Sequence, residues 1–275
     1  WIGVSCPAHA RLGFLPLTRE RGHPGRARAN PMQIKDATVV ITGGARRVGR
    51  HVARRLADRG ANISLNYLTS AHEADEAIRE IQGIGVGGLA VQADVSTRVG
   101  VQTILDATVA EFGSVDILIN NASIYGSTPF AELDEAEFDR NIAVNLKGPY
   151  LGCWLFGQYM RERGRGNIVN FADWAVDRPY VGYAPYFVAK GGVVALTRVM
   201  AKELAPQVRV NAIAPGPILM PANFSHDTVR AIERATPLGR IGHPEDIAQT
   251  ICYVVEGTDF VTGAVIPVDG GRTIA

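Results

Sequence analysis

The sequence predicts a doubly wound α/β domain, with about seven parallel strands, over residues 32–275. Three observations predict it. Short apolar runs recur along the chain without polar alternation, as strands buried on both faces require. The first four are each followed by a stretch of helical period, the pattern of β-α-β crossovers. A glycine-rich segment, Thr42-Gly43-Gly44-Ala45-Arg46-Arg47-Val48-Gly49, directly follows the first run and opens a helix.

Taken in order, ATVVIT (37–42) precedes a helix from about Val48, NISLNY (62–67) one from Ala71, GLAVQ (88–92) one near Val99, and DILIN (116–120) a long one from about Asp134. IVNF (168–171), VRVNAI (208–213) and AVIPVD (264–269) complete the strands. TPLGRIGHPEDIA reads as a loop entering a helix near Pro244, with His243 a turn residue. ILMPANFSHDT (218–228) carries Pro, Asn, Ser and Asp and reads as an irregular lid. Ligands of such sheets bind outside the carboxyl ends of the strands, so motifs that follow a strand are candidate site residues.

In the first loop, glycine lets the backbone turn sharply and approach a pyrophosphate, and the helix N-terminus supplies free N–H groups and partial positive charge. That is the dinucleotide cradle of a Rossmann fold. Arg46 and Arg47 add fixed charge where phosphates would lie. At the end of the second strand Asn66 and Tyr67 stand where a carboxylate would bond an NAD ribose, and no acid follows until Glu73. The expected cofactor is therefore NADPH.

Farther on, Tyr186 and Lys190 lie four residues apart in a helical run and share one face. A cation held beside a phenol favours the phenolate, which predicts a pair able to exchange a proton nearer neutral pH. The same spacing also fits an ordinary surface pair.

The composition sets bounds. With 275 residues, 47% hydrophobic and a formal net charge of +1, the chain can bury a full core and has no excess of positive charge for nucleic acid. No apolar run approaches the roughly 18 residues that span a bilayer. Cys6, Cys153 and Cys252 lie far apart without a C-x-x-C pair, which reads as reduced thiols in a cytoplasmic protein, with no disulfide or metal site. Residues 1–31 hold five arginines, one acid, four prolines and four glycines without sustained period. They read as a disordered or non-native extension upstream of a start at Met32, or as an Arg-rich targeting segment.

TGGARRVG (42–49), ADV (93–95), NNAS (120–123), NLKG (145–148), YFVAK (186–190), APGPI (214–218) and VDGG (268–271) together resemble the short-chain dehydrogenase/reductase family, in order and spacing, across 34–275. Two departures are informative. That family usually has glycine at the position of Arg47 and serine thirteen positions before the tyrosine, where this chain has Asp173. Both, with NNAS for NNAG, resemble the pteridine reductase branch. Tyr125 and Tyr183 match aromatics that line the pterin pocket there.

The resemblance implies NADPH across the strand ends. Gly43, Arg46, Arg47, Val48 and Gly49 would meet its phosphates, Tyr67 and Ser70 the 2′-phosphate, and Asp94 and Val95 the adenine. Asn121, Ala122 and Ser123 would lie beneath the nicotinamide ribose, and Pro215, Gly216 and Ile218 would complete the site. It implies Tyr186 as proton donor, Lys190 on the ribose, Asn145 as proton relay, and a substrate held by Arg47, Tyr125, Asp173 and Tyr183. It further implies a homotetramer built on helices beginning near Glu137 and Pro185, with VDGGRTIA near another subunit contact.

A serine hydroxyl donates to a substrate carbonyl, whereas an ionised carboxylate only accepts. Asp173 therefore suits a substrate with N–H donors and C=N bonds, such as a pterin. Held protonated by burial it would act like serine, and it could instead cap the turn ADWAVDRP. Asp177 and Arg178 read as solvated loop charges. The sequence thus leaves three readings: a pteridine reductase, a carbonyl reductase like the 3-oxoacyl-carrier-protein reductases, and a non-catalytic NADPH sensor.

Overall fold

The computed structural model describes residues 32–220 and 224–275, so the reading of residues 1–31, Cys6 included, lies outside the described residues. In chain order the elements are β1 (Thr38–Ile41), α1 (Arg47–Ala57), β2 (Asn62–Tyr67), α2 (Ala71–Ile84), β3 (Gly88–Gln92), α3 (Arg98–Phe112), β4 (Ile117–Asn120) and α4 (Glu135–Ile142). Then come α5 (Gly148–Glu162), β5 (Gly166–Phe171), α6 (Ala184–Leu204), β6 (Val208–Pro215), α7 (His226–Arg234), α8 (Pro244–Cys252) and β7 (Val265–Val268). The seven strands form one sheet in the order β3-β2-β1-β4-β5-β6-β7, with every pair parallel. Chain order reverses between β1 and β4. A crevice opens at such a switch point, beyond the carboxyl ends of the two strands.

Period-2 alternation explains why the strands read as unbroken apolar runs. In β1, Val39 and Ile41 join the core under α1, α2 and α8, while Val40 joins the core under α3, α5 and α6. In β4, Ile117 and Ile119 go one way and Leu118 the other. With helices on both faces the inner strands β1, β4 and β5 leave no position for a solvated polar side chain. Full burial of each such aliphatic side chain is worth about 1.5–3 kcal/mol.

Where polar side chains enter the core at the carboxyl ends of β4 and β5, they are paired. Asn120 Nδ2 donates to Asn170 Oδ1 at 2.8 Å, and Asn170 Nδ2 donates to Thr197 Oγ1 at 3.0 Å. Thr197 in turn donates to the Val193 carbonyl at 2.8 Å. This line stitches the ends of β4 and β5 to α6. Cys153 and Cys252 are both free and buried, and burial pushes the Cys153 thiol up to about 12.

Two features differ from expectation. The stretch read as an irregular lid ends in a helix, α7, whose N-cap Ser225 accepts from Thr228 N at 3.1 Å. Capping by serine outweighs the weak propensity of His, Asp and Thr in the first turn. The long helix from Asp134 is interrupted by a π-helical turn, Ala143–Lys147, between α4 and α5. His243 is a turn residue in a specific sense: it caps α8, accepting from Glu245 N while Asp246 accepts from the His243 N–H.

Asn170→Ala takes a partner from buried Asn120, Cys153 and Thr197 at once and leaves a small void. It should cost about 2–4 kcal/mol, read as a lowered urea midpoint with unchanged slope. An unchanged midpoint would show that water replaces the lost amide.

Candidate active site

The crevice at the switch point is a cleft of about 280 Å³. Its walls bring together Arg46, Arg47, Val48, Gly49, Asn121, Ala122, Ser123, Phe171, Ala172, Asp173, Tyr186, Lys190, Pro215, Gly216 and Ile218. These residues come from the ends of β1, β4, β5 and β6 and from the starts of α1 and α6.

The floor is packed too tightly for side chains. A Cβ on Gly49 would sit 2.7 Å from the Gly43 carbonyl oxygen, and one on Gly43 would sit 2.9 Å from Ala122 Cα. Asn121 holds this loop by donating from Nδ2 to the carbonyls of Thr42 and Gly43, at 2.9 and 3.0 Å. Thr42 Oγ1 accepts from the Asn121 and Ala122 amides, both at 3.0 Å. At the start of α1 no side chain caps the helix and the first turn holds no acid. Its N–H groups and partial positive charge therefore face the cleft without internal competition. This floor fits the phosphates of a dinucleotide.

Arg47 occupies a left-handed conformation, φ 52°. A side chain there costs about 1–2 kcal/mol, which accounts for the glycine usual at this position. In exchange Arg47 Nη2 donates to the Leu219 carbonyl at 2.6 Å, tying the first loop to the segment after β6. Arg46 is exposed and meets Glu73 at 3.4 Å, a surface pair of little strength.

At the far wall, Tyr186 donates its hydroxyl proton to Asp173 Oδ2 at 2.8 Å. Asp173 Oδ1 accepts from Ala175 N at 2.8 Å and so caps the 3₁₀ turn Trp174–Asp177. One oxygen of the carboxylate thus caps the turn while the other meets Tyr186. Lys190 is buried, donates to the Phe171 carbonyl at 2.8 Å, and stands 5.7 Å from the centre of the Tyr186 ring.

The charge balance corrects the expected phenolate. Burial first, and the Asp173 charge second, hold Tyr186 well above the ordinary tyrosine value. Burial raises Asp173, opposed by its bonds to Ala175 and Tyr186, and lowers Lys190 to about 8. Lys190 is directed at a main-chain carbonyl rather than at the phenol, so desolvation outweighs its attraction.

Tyr125 and Tyr183 stack with ring centres 4.7 Å apart, and Tyr125 meets Tyr186 edge-on at 4.9 Å. Asn145 lies in the π-helical turn, fully buried. Its Oδ1 accepts from Ser123 Oγ and Ile124 N, both at 2.9 Å, and its Nδ2 donates to Ile124 O at 3.0 Å. The side chain therefore braces the loop after β4.

One expected contact lies elsewhere. Asn66 is turned inward, its Nδ2 donating to the carbonyls of Tyr67, Val91 and Ala93 at 3.2, 3.2 and 2.9 Å, which corrects its placement at a ribose. Val95 packs its side chain in the core with Val101 and Leu151. Asp94 Oδ1 accepts from Ser96 N at 2.9 Å. Tyr67 is half-buried against the core, and Ser70 precedes α2 without a capping bond. The sequence reading also missed Asn141, whose Oδ1 accepts from Asn145 at 3.1 Å and whose position four residues back on the helix could have revealed it. It missed the Phe171 carbonyl too, which no side-chain pattern announces. Among the described residues no group of three or more His, Cys, Asp or Glu could hold a metal, and no helix is long and apolar enough to cross a membrane.

A family model described as enoyl-(acyl carrier protein) reductase matches residues 43–273. The chain is 37% identical to 3beta-hydroxysteroid dehydrogenase 1 of Eggerthella lenta over 248 residues, 88% of this chain and 95% of that protein. It is 35% identical to the 3-oxoacyl-[acyl-carrier-protein] reductase FabG of Staphylococcus aureus over 240 residues, 85% and 97%. Among solved structures, levodione reductase superposes with a TM-score of 0.82 at 32% identity, covering 88% of this chain and 99% of that one. A 7 alpha-hydroxysteroid dehydrogenase solved with NADH and 7-oxo glycochenodeoxycholic acid also gives 0.82, at 28% identity and 87% and 96% coverage.

If the Lys190 ammonium is needed for turnover, kcat/KM should fall with one ionisation as pH rises through about 8, where this lysine loses its proton. The direction follows from the charge: the ammonium is intact below that value, and Tyr186, held high, does not titrate in the window. A pH–rate profile flat to pH 10 would remove Lys190 from the reaction.

Proposed function

The chain belongs to the short-chain dehydrogenase/reductase family of nicotinamide-dependent oxidoreductases, and from that premise we propose that it is an NADPH-dependent pteridine reductase acting on dihydropteridines or dihydrofolate. The observation that carries this reading is the hydrogen bond from Tyr186 to Asp173 at 2.8 Å, where the family usually has serine. A carboxylate accepting here repels a carbonyl oxygen that gains negative charge and attracts a substrate N–H. Tyr186, kept protonated by burial, is a proton donor and not a resting base.

The roles follow from position. The glycine floor and the uncapped start of α1 receive the cofactor phosphates, with Arg46 and Arg47 beside them. Arg46, Tyr67 and Ser70 favour a 2′-phosphate, and no carboxylate ends β2 to favour a free ribose hydroxyl. Lys190, anchored on Phe171, supplies positive charge beneath Tyr186 and reaches the ribose hydroxyls. When bound, the nicotinamide supplies the hydride. Tyr186 then releases its proton to the reduced substrate while Asp173 holds a ring N–H, and Tyr125 and Tyr183 offer aromatic faces to a planar ring. Asn145 keeps the loop bearing Ser123 and Tyr125 in register and supports proton supply from that side.

A second reading, a 3-oxoacyl or other carbonyl reductase, is favoured by the steroid and acyl-carrier-protein relatives. In it Asp173 would have to be protonated, the direction in which burial pushes it, and donate as serine would. A sensor that binds NADPH without turnover lacks a supporting observation, because Tyr186, Asp173 and Lys190 are all assembled. Exposed Phe138 on α4, Tyr150 on α5, and Val188 and Val199 on α6 support a homotetramer, since 11 residues bring the two valines onto one face. The free buried thiols suit a cytoplasmic setting.

NADPH oxidation is to be measured with dihydrobiopterin, dihydrofolate and an acetoacetyl thioester, on wild type and Asp173→Ser. Pterins should turn over, and the substitution should cut that activity about 10²-fold while keeping or gaining ketone reduction. A wild type that reduces only the thioester is a carbonyl reductase; binding of NADPH without turnover of any substrate is the sensor.

Fluorescence titration should show NADPH binding tighter than NADH. Arg46→Ala should lose about tenfold for NADPH alone, the size of one charge-assisted contact. Equal loss for both dinucleotides would place Arg46 away from the 2′-position.

A further inference from the structure

A second pocket, of about 500 Å³, lies beyond the aromatic wall of the active site. Three guanidinium groups line it: Arg178 from the loop before α6, Arg234 from the end of α7, and Arg272 from the segment after β7. Trp174, Tyr180 and Pro237 complete the lining that matters here. Arg178 was expected to be a solvated loop charge. It is exposed, and its Nη1 also donates to the main-chain oxygens of Arg272 at 3.3 Å and of Ala275, which draws two of the arginines together.

Asp177 and Glu233 neighbour the arginines in sequence, yet among the described residues no side-chain carboxylate pairs with any of the three. Arg272 is laid over Trp174, 5.0 Å from its ring centre, and its buried Nε has no hydrogen-bond partner. A buried cationic N–H without an acceptor is costly unless something supplies one. Guanidinium groups match carboxylate and phosphate oxygens with paired donors.

The pocket also borders the residues that carry the reacting groups. Trp174 follows Asp173 directly in the 3₁₀ turn. From there aromatic rings run in contact, Trp174 to Tyr180 at 5.9 Å, Tyr180 to Tyr183 at 6.4 Å, Tyr183 to Tyr125 at 4.7 Å and Tyr125 to Tyr186 at 4.9 Å. We infer that the substrate carries an acidic tail, a carboxylate or phosphate group, that Arg178, Arg234 and Arg272 hold while the reducible part lies against Tyr186. The inference rests on the reductase reading above and narrows it to anionic substrates, whether the reducible bond is C=N or C=O.

The test pairs substrates that differ in their tails: dihydrofolate against dihydrobiopterin, and acetoacetyl-coenzyme A against acetoacetyl-N-acetylcysteamine. Each pair is assayed on wild type, Arg178→Gln and Arg234→Gln. Arg234 is exposed and makes no contact that the fold needs, so its variant should fold as wild type does. For whichever pair is reduced, each variant should raise KM for the charged member about five- to tenfold with kcat kept, and leave the neutral member unchanged. Equal effects on both members, or none on either, overturn the inference. Should none of the four be reduced, the reductase reading fails separately and inorganic pyrophosphate titrated against tryptophan fluorescence decides the pocket. A saturable change that weakens at least fivefold in both variants sustains it; no such change, or one the variants do not alter, overturns it.

Discussion

The constraint on which the rest of this structure depends is that all seven strands run the same way. A parallel sheet can be made only by crossovers that return each strand to the starting edge, so every loop leaving a strand opens on one side of the molecule. Residues as distant in sequence as Gly49, Ser123, Lys190 and Gly216 are thereby gathered on one cleft. The same edge ends in polar strand residues that have no solvent, and they satisfy one another: Thr42 with Asn121, Asn120 with Asn170, Asn170 with Thr197. These bonds set the floor on which the chemistry stands.

Within the cleft, desolvation is the dominant electrostatic influence. It raises Asp173 and Tyr186 and lowers Lys190, which is the direction of burial for each group and not of attraction between them. Proximity of a cation to a phenol in sequence says little until the cation's own hydrogen bond is known. Here it goes to a main-chain carbonyl, and the phenol is left to the carboxylate. The resulting pair keeps one proton between two oxygens at the bottom of an aromatic enclosure, an arrangement in which either partner's charge depends on what the substrate offers.

Arg47 shows how such a site stores strain. Its left-handed backbone and that of Leu219, φ 50°, are joined by one hydrogen bond across the mouth of the cleft. Glycine would relieve the first conformation but could not reach the second loop. The cost is offset by the hydrogen bond through which the guanidinium links the first loop to the segment after β6.

Much of this was legible in the sequence. The strands β2 and β3 begin and end where their apolar runs do, and Tyr186 and Lys190 share a helix face because four residues make about one turn. Position after a strand indicated Arg46 to Gly49 as cleft residues, and the family resemblance added Asn121 to Ser123, Pro215, Gly216 and Ile218. Asn66 was misjudged although alternation carried a warning, for it shares the face of buried Ser64 and not that of Tyr67. The α7 helix was hidden by a proline- and asparagine-bearing approach, and the π-helical turn around Asn145 has no sequence period of its own.

What the sequence by itself determined is what depends on local spacing and burial: the parallel sheet, the glycine loop, and the tyrosine one turn from the lysine. The tertiary structure alone decided which of Asp173's oxygens caps a turn and which meets Tyr186, where the Lys190 proton points, and that Arg178, Arg234 and Arg272 converge. These are contacts between elements far apart in the chain, whose angles and distances follow from how the helices pack on the sheet, and no periodicity in a linear string encodes them.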